Sequence, residues 1–250
     1  MTVLKHAACV LLALGSHFYL SAQTTASADT VSKNNILKLN LSALLFKNIS
    51  VQYERKVSRK STVALNVHVM PFGNIPFKSA VEKAIDDASV DLDKLKVGNM
   101  GVTAEYRFYI GKKGAMRGFY LGPFLSYNNY KADLPLNYSN DTRTGVFSGK
   151  LKTYTAGLQL GAQWQLSKTV YLDWWILGPN YGSASGDLIL NTALSPSEQQ
   201  DLRDEIENLK NDVPLKTIKS YEVNASGAKI VAKGPWGGLR GLGINIGFRF

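Results

Sequence analysis

From Leu37 onward, apolar and polar residues alternate in runs of period two, the spacing of a strand with one apolar face rather than of a helix. Eight runs are present, at residues 37–45, 49–57, 63–70, 100–110, 119–127, 154–166, 170–177 and 239–250. In the first, Leu37, Leu39, Leu41, Ala43 and Leu45 face one way. In the fourth, Met100, Val102, Ala104, Tyr106, Phe108 and Ile110 oppose Gly101, Thr103, Glu105, Arg107 and Tyr109. In the seventh, Val170, Leu172, Trp174 and Ile176 oppose Tyr171, Asp173, Trp175 and Leu177, and in the eighth Leu242, Ile244, Ile246, Phe248 and Phe250 oppose Gly241, Gly243, Asn245, Gly247 and Arg249. Each run is close to the 9–11 residues with which a tilted strand crosses a bilayer. The connections alternate as well. Those at 58–61, 111–118 and 167–168 are short, those at 71–97, 131–149 and 178–238 are long, and the first, at 46–48, is a tight turn.

A soluble ligand-binding barrel shows the same alternation turned inside out, so periodicity alone does not say which face is inside. Three features favour apolar-outward. The polar face carries small residues, Gly101, Gly157, Gly161, Gly243 and Gly247, which suit a crowded interior and would weaken a solvated face. Aromatic residues of the apolar face fall into two groups, Phe108, Phe119, Trp164, Phe248 and Phe250 near the short turns and Phe46, Tyr127 and Tyr154 near the long connections, the arrangement of interfacial girdles. The third feature lies in the two ends of the chain.

At the N-terminus Lys5 precedes an apolar run from Ala7 to Leu14 and a small-residue exit at Ser21 and Ala22, the layout of a secretory signal peptide over residues 1–22. Residues 23–35 read as a flexible leader and 36–250 as the barrel. Cys9, the single cysteine, lies within the signal, so the expected mature chain has neither a disulfide nor a Cys-based zinc site. The net charge of +10 becomes +9 once Lys5, the only charged residue of 1–22, is removed. Nucleic acid is not expected as the partner of an exported chain, and anionic lipid headgroups suit the basic short turns, with Arg59, Lys60, Lys112, Lys113, Arg117 and Lys168.

Two long connections contain helical patterns. Phe77, Val81, Ile85 and Leu92 recur at helical spacing in the first. In the last, Ser195, Pro196 and Glu198 form the start signal of a helix whose stripe is Leu202, Ile206, Leu209 and Val213. The stripes are expected to pack on the barrel rim or on each other, with a partner-binding surface as the alternative.

The inward face carries Lys38, Glu54, Lys56, Glu105, Arg107, Asp173 and Arg249. Inside an eight-stranded barrel, mixed charges are expected to pair into a hydrogen-bonded plug, with a gated path as the alternative. His68 is the one histidine beyond residue 22, and no serine shares its face nearby on the same strand, so it is read as an interior hydrogen-bonding residue rather than as half of a nucleophile–base pair. No catalytic residue, metal site or cofactor is assigned.

The closing segment LRGLGINIGFRF resembles the C-terminal signal of bacterial outer-membrane β-barrels, which ends alternating apolar residues on Phe. That resemblance makes Phe248 and Phe250 the expected assembly signal and the barrel-assembly machinery an expected partner. The segments SVQYERKVSRKSTVALNV and GVTAEYRFYIGKKGAMRGFYLGPFLSY resemble a family of small outer-membrane barrels of Gram-negative bacteria catalogued as a domain of unknown function, through Tyr53, Glu54, Arg55, Glu105, Tyr106, Arg107, Gly118, Phe119, Tyr120, Gly122 and Pro123. More distantly the chain resembles the membrane domains of outer-membrane proteins A and W. These resemblances imply fold and location but no activity. The expected protein is an all-β, eight-stranded antiparallel transmembrane β-barrel with helix-containing extracellular loops, monomeric and placed in the outer membrane after cleavage near Ala22. Its expected role is non-enzymatic, in envelope integrity or surface interaction. Small-molecule binding or passage, and a lipid-modifying barrel enzyme, are the alternatives.

Overall fold

A computed structural model describes residues 33–75, 95–138, 143–212 and 218–250. The strands are β1 (Asn35–Asn40), β2 (Ile49–Lys56), β3 (Ser61–Asn74), β4 (Lys96–Tyr109), β5 (Gly118–Tyr138), β6 (Arg143–Gln165), β7 (Val170–Asn191), β8 (Ile218–Asn224) and β9 (Gly227–Arg249). All neighbours are antiparallel, and β1 pairs with β9, with Ile36 opposite Arg249 and Asn40 opposite Asn245. Eight strands, β1 to β7 and β9, therefore close into a ring, and β8 adds outside the ring to the first half of β9. The backbone of Phe250 completes the closure, exchanging both hydrogen bonds with Asn35.

The alternation works as the pleat requires. Along β2, Ser50, Gln52 and Glu54 are buried and Ile49, Val51 and Tyr53 are exposed. The inside of the ring is thus largely polar and the outside apolar. Among the described residues no helix is long and apolar enough to cross a membrane.

Three features depart from the sequence expectation. The first run does not continue to Leu45. Asn40 caps a short helix, α1 (Leu41–Leu45), its Oδ1 accepting the Ala43 N–H at 2.8 Å, and Lys47 at φ 55° turns the chain into β2. An Asn side chain that bonds the backbone ahead of it competes with the ladder, and here it stops the strand.

The second departure is length. β5, β6, β7 and β9 run for 21, 23, 22 and 23 residues, so 131–138, 143–149 and much of 178–238 are strand rather than loop. These arms persist because they have a core of their own. Phe147, Leu190, Leu194, Ala228 and Ile230 pack with Leu202 and Ile206 of α2 (Pro196–Asp212). The cap of α2 is reciprocal. The Ser195 N–H donates to Glu198 Oε2 at 2.8 Å, and the Glu198 N–H to Ser195 Oγ at 3.4 Å. Leu202 and Ile206 of α2 therefore cover the sheet of the arms rather than the barrel rim, while the Leu209 side chain, Val213 and the expected helix at Phe77, Val81, Ile85 and Leu92 lie outside what the structure describes.

The third departure is a paired irregularity. Trp175 pairs with Gly243 and Leu177 with Gly241, but the alternation slips between them, at Ile176 and at Leu242, whose φ is 55°. An extra residue flips every later side chain to the other face. Leu177, expected inward, is exposed, and Arg240 turns inward.

Candidate functional site

Five of the seven inward charges expected from the sequence meet within the ring: Lys38 from β1, Glu54 from β2, Glu105 and Arg107 from β4, and Asp173 from β7. All five are buried. Arg107 Nη1 donates to Asp173 Oδ2 at 2.7 Å, Nε to Glu105 Oε1 at 3.0 Å, and Nη2 to Gln52 Oε1 at 2.9 Å. Lys38 Nζ donates to Asp173 Oδ2 at 2.6 Å and to Gln163 Oε1 at 2.8 Å, and also pairs with Glu54. Hydroxyls fill the remaining lone pairs. Tyr109 and Thr62 each donate to Glu54 Oε1 at 2.6 Å, and Tyr120 donates to Asp173 Oδ1 at 2.9 Å. Multiple partners of this kind are what makes burying ionised groups tolerable.

Space for the cluster comes from glycines on the facing strands. A Cβ at Gly161 would stand 2.3 Å from the Tyr120 ring and hydroxyl, and one at Gly122 would stand 2.6 Å from Glu105 Oε1. Below the cluster, the turn between β4 and β5 tucks in. The Ala115 N–H donates to the Arg59 carbonyl at 2.8 Å, and Met116, buried, packs with Ile36 and Tyr171.

Lys56 and Arg249 do not join the cluster. Both lie at the short-turn end of their strands. Lys56 is half-buried and forms no ion pair with the described residues, whereas Arg249 donates to Tyr171 Oη at 2.9 Å and to the Lys33 carbonyl at 2.6 Å. Phe248 and Phe250 are exposed on the outer face.

Arg240 is the charge that pattern reading missed. Counted back by twos from Phe250 it belongs to the apolar face, and only the slip at Leu242 brings its Nη1 to Glu105 Oε2, at 3.1 Å. Its guanidinium lies 3.9 Å from the Trp175 ring centroid and 5.3 Å from that of Phe124. The glycines at 237, 238, 241 and 243 were the one signal of backbone irregularity there. Tyr109 and Tyr120 were legible by parity as inward, but not as partners of the carboxylates.

On the long-arm side of the cluster lies a cavity of about 420 Å³, walled by hydroxyl and amide side chains together with His68, Arg240, Trp175 and Trp236. His68 Nε2 is 3.2 Å from Asn99 Nδ2. Ser50 is opposite His68 in register, but no hydrogen bond joins them, and Ser50 Oγ accepts instead from Asn66 Nδ2 at 2.9 Å. Among the described residues no group of three His, Cys, Asp or Glu side chains is arranged to hold a metal ion.

Fold and site together define a closed eight-stranded antiparallel barrel, apolar outside, with a charge and tyrosine network across its interior. The chain belongs to the family described as "Protein of unknown function (DUF3575)", whose model matches residues 16–182. The match takes in β1 to β6 and most of β7. No curated protein and no solved structure matches the chain significantly.

Proposed function

We propose that this chain is a plugged, non-conducting barrel of the bacterial outer membrane, monomeric, that serves envelope integrity or surface interaction through the lobe formed by its long arms. The observation that carries the reading is the inversion of the barrel. Buried ion pairs fill its inside, while Leu65, Leu125 and Leu158 on its outside are 48%, 66% and 48% exposed. A continuous apolar outer face of this kind calls for a lipid or protein cover. From Phe119 to Tyr127, one aromatic group to the other, is about 26 Å along a strand, or roughly 20 Å at the usual tilt, near the height of a membrane band. The signal-like segment 1–22 and the outward-facing rings of Phe248 and Phe250 support the address, with the assembly machinery as the partner reading that aromatic pair. The lobe offers Asp204 and Glu205, exposed on α2, toward a surface partner.

Passage is disfavoured because Arg107, Lys38 and Asp173 bridge the ring between β1, β4 and β7. An acyl-transfer or hydrolytic role is disfavoured because His68 and Ser50 are not joined as base and nucleophile. Conductance of the purified full chain in planar bilayers tests the proposal. A silent bilayer is expected, and discrete openings would replace the plug with a pore.

A further inference from the structure

The seam between β1 and β9 is complete only in its short-turn half. β1 stops at Asn40, opposite Asn245, because the Asn40 cap diverts the backbone into α1. α1 then takes the place of a strand, and Ser42 Oγ accepts the Ile244 N–H at 2.6 Å. From Trp236 to Gly243, β9 has no strand on that side among the described residues. The rim of this gap is apolar, with Leu45, Phe46, Leu239 and Leu242 at 65%, 53%, 68% and 76% exposure.

Behind the gap is the 420 Å³ cavity, and α1 and β9 both contribute to its wall. Among the described residues Arg240 is the only charged side chain lining it, and no carboxylate does. Its Nη1 is held by Glu105, whereas Nη2, buried, has no hydrogen-bond partner among the described residues. An unsatisfied N–H of a guanidinium fixed between two rings is a donor prepared for an oxyanion, and an incoming carboxylate or phosphate removes the cost of leaving it unpaired. Ser50, Ser126, Asn128 and Asn180 supply further hydrogen-bonding groups around it. Tyr130 and Trp236, with ring centroids 6.0 Å apart, line both this cavity and a second of about 390 Å³ between the arms. The second cavity has mainly apolar walls, including Met70, Val97, Leu134, Leu151 and Leu188.

We infer that the two cavities hold one amphiphile, its carboxylate or phosphate head on Arg240 and its chain in the apolar slot beyond Tyr130 and Trp236, and that it enters sideways through the β1–β9 seam. The head chemistry stands on the cavity alone, while lateral entry rests on the membrane reading above. The charge cluster closes the cavity toward the short turns, so the amphiphile is retained rather than conducted.

The test uses the full chain in an uncharged maltoside detergent and a dodecanoate brominated at its terminal carbon, which quenches nearby tryptophan on binding. Saturable quenching is expected, with dodecanol competing about tenfold less well than dodecanoate. Arg240→Gln should weaken binding by about tenfold or more. Because that change also removes a partner of Glu105, its thermal unfolding is followed in parallel, and Gly238→Leu provides a second variant. The three atoms nearest a Cβ at Gly238 all belong to the Asn180 side chain, the closest at 3.1 Å, and Gly238 lines the cavity, so a larger residue there narrows the site without changing any member of the charge cluster. Equal quenching in the wild type and both variants would overturn the site. Inorganic phosphate displacing the probe as well as dodecanoate does would overturn the amphiphile and leave a small-anion site. In liposomes, quenching that follows the amphiphile-to-lipid ratio supports entry from the bilayer, and dependence on aqueous concentration alone overturns it. Failure of the protein to enter liposomes would remove the membrane reading while leaving the detergent result to decide the head site.

Discussion

Arg107 and Asp173 reach each other across the inside of the ring, Nη1 to Oδ2 at 2.7 Å, from strands separated by two others. No local sequence relationship connects them. Their contact exists because the sheet closes and because both lie on the inward parity of their strands, and it ties opposite walls of the barrel together.

Removing one member of this cluster leaves an uncompensated buried charge. Asp173→Asn strands Lys38 and Arg107 and is expected to cost about 3–5 kcal/mol, measured by urea unfolding in detergent. The double change Asp173→Leu with Arg107→Met should cost less than the sum of the two single changes, since it removes both partners. Neutral single changes would mean that water reaches the cluster and would return weight to a pore.

Gly161 leaves the room that Tyr120 occupies. Gly161→Ala should destabilise the barrel by about 1–3 kcal/mol through overpacking. The same change in a Tyr120→Ala background should be nearly neutral, and additive effects of the two changes would show that the close approach does not set the cost.

The outer face tests the membrane itself. Leu65→Arg and Leu158→Arg, in the middle of exposed apolar faces, are each expected to cost about 2–4 kcal/mol for folding into lipid vesicles. Monodisperse protein free of detergent, with either change or none, would contradict the membrane reading.

Phe250 makes backbone hydrogen bonds to Asn35 and exposes its ring. Phe250→Asp retains the backbone pairing but loses the outward aromatic. Poor insertion in cells with periplasmic accumulation is expected, yet near-normal refolding from urea into detergent. Equal loss in both settings would make Phe250 a packing residue, and equal success would remove its proposed role in assembly.

On the lobe, hydrogen bonds from Lys210 and Tyr221 hold the Glu207 carboxyl below its ordinary value. A depressed folded-state pKa contributes stability that is present above the unfolded value and lost as pH falls through the folded one. The last turns of α2 should therefore loosen only under acid conditions below the usual glutamate range. NMR titration of Glu207 should move back toward the ordinary glutamate value in Lys210→Met, and an unchanged titration would show that Lys210 is not the cause.

Period-two alternation placed all eight ring strands and put Lys38, Glu54, Glu105, Arg107 and Asp173 on the inward face, because which side a residue faces depends only on its own strand. The Ser195, Pro196 and Glu198 signal placed α2 for the same reason, since a capping box is local chemistry. What the pattern did not contain was decided by pairing partners. The ends of β5, β6, β7 and β9 depend on a lobe core assembled from five strands, β5 to β9, and a helix, so polar stretches such as 131–133 became strand through their neighbours. The early stop of β1 turned on one Asn40 side chain accepting the backbone N–H of Ala43, in the chain it leads into. Arg240 reached Glu105 only through the backbone slip at Leu242, an irregularity that reverses parity and therefore defeats any reading by alternation. The partners of each inward charge were set by closure and register, which bring side chains from β1, β4 and β7 to one point although more than sixty residues of chain separate each from the next.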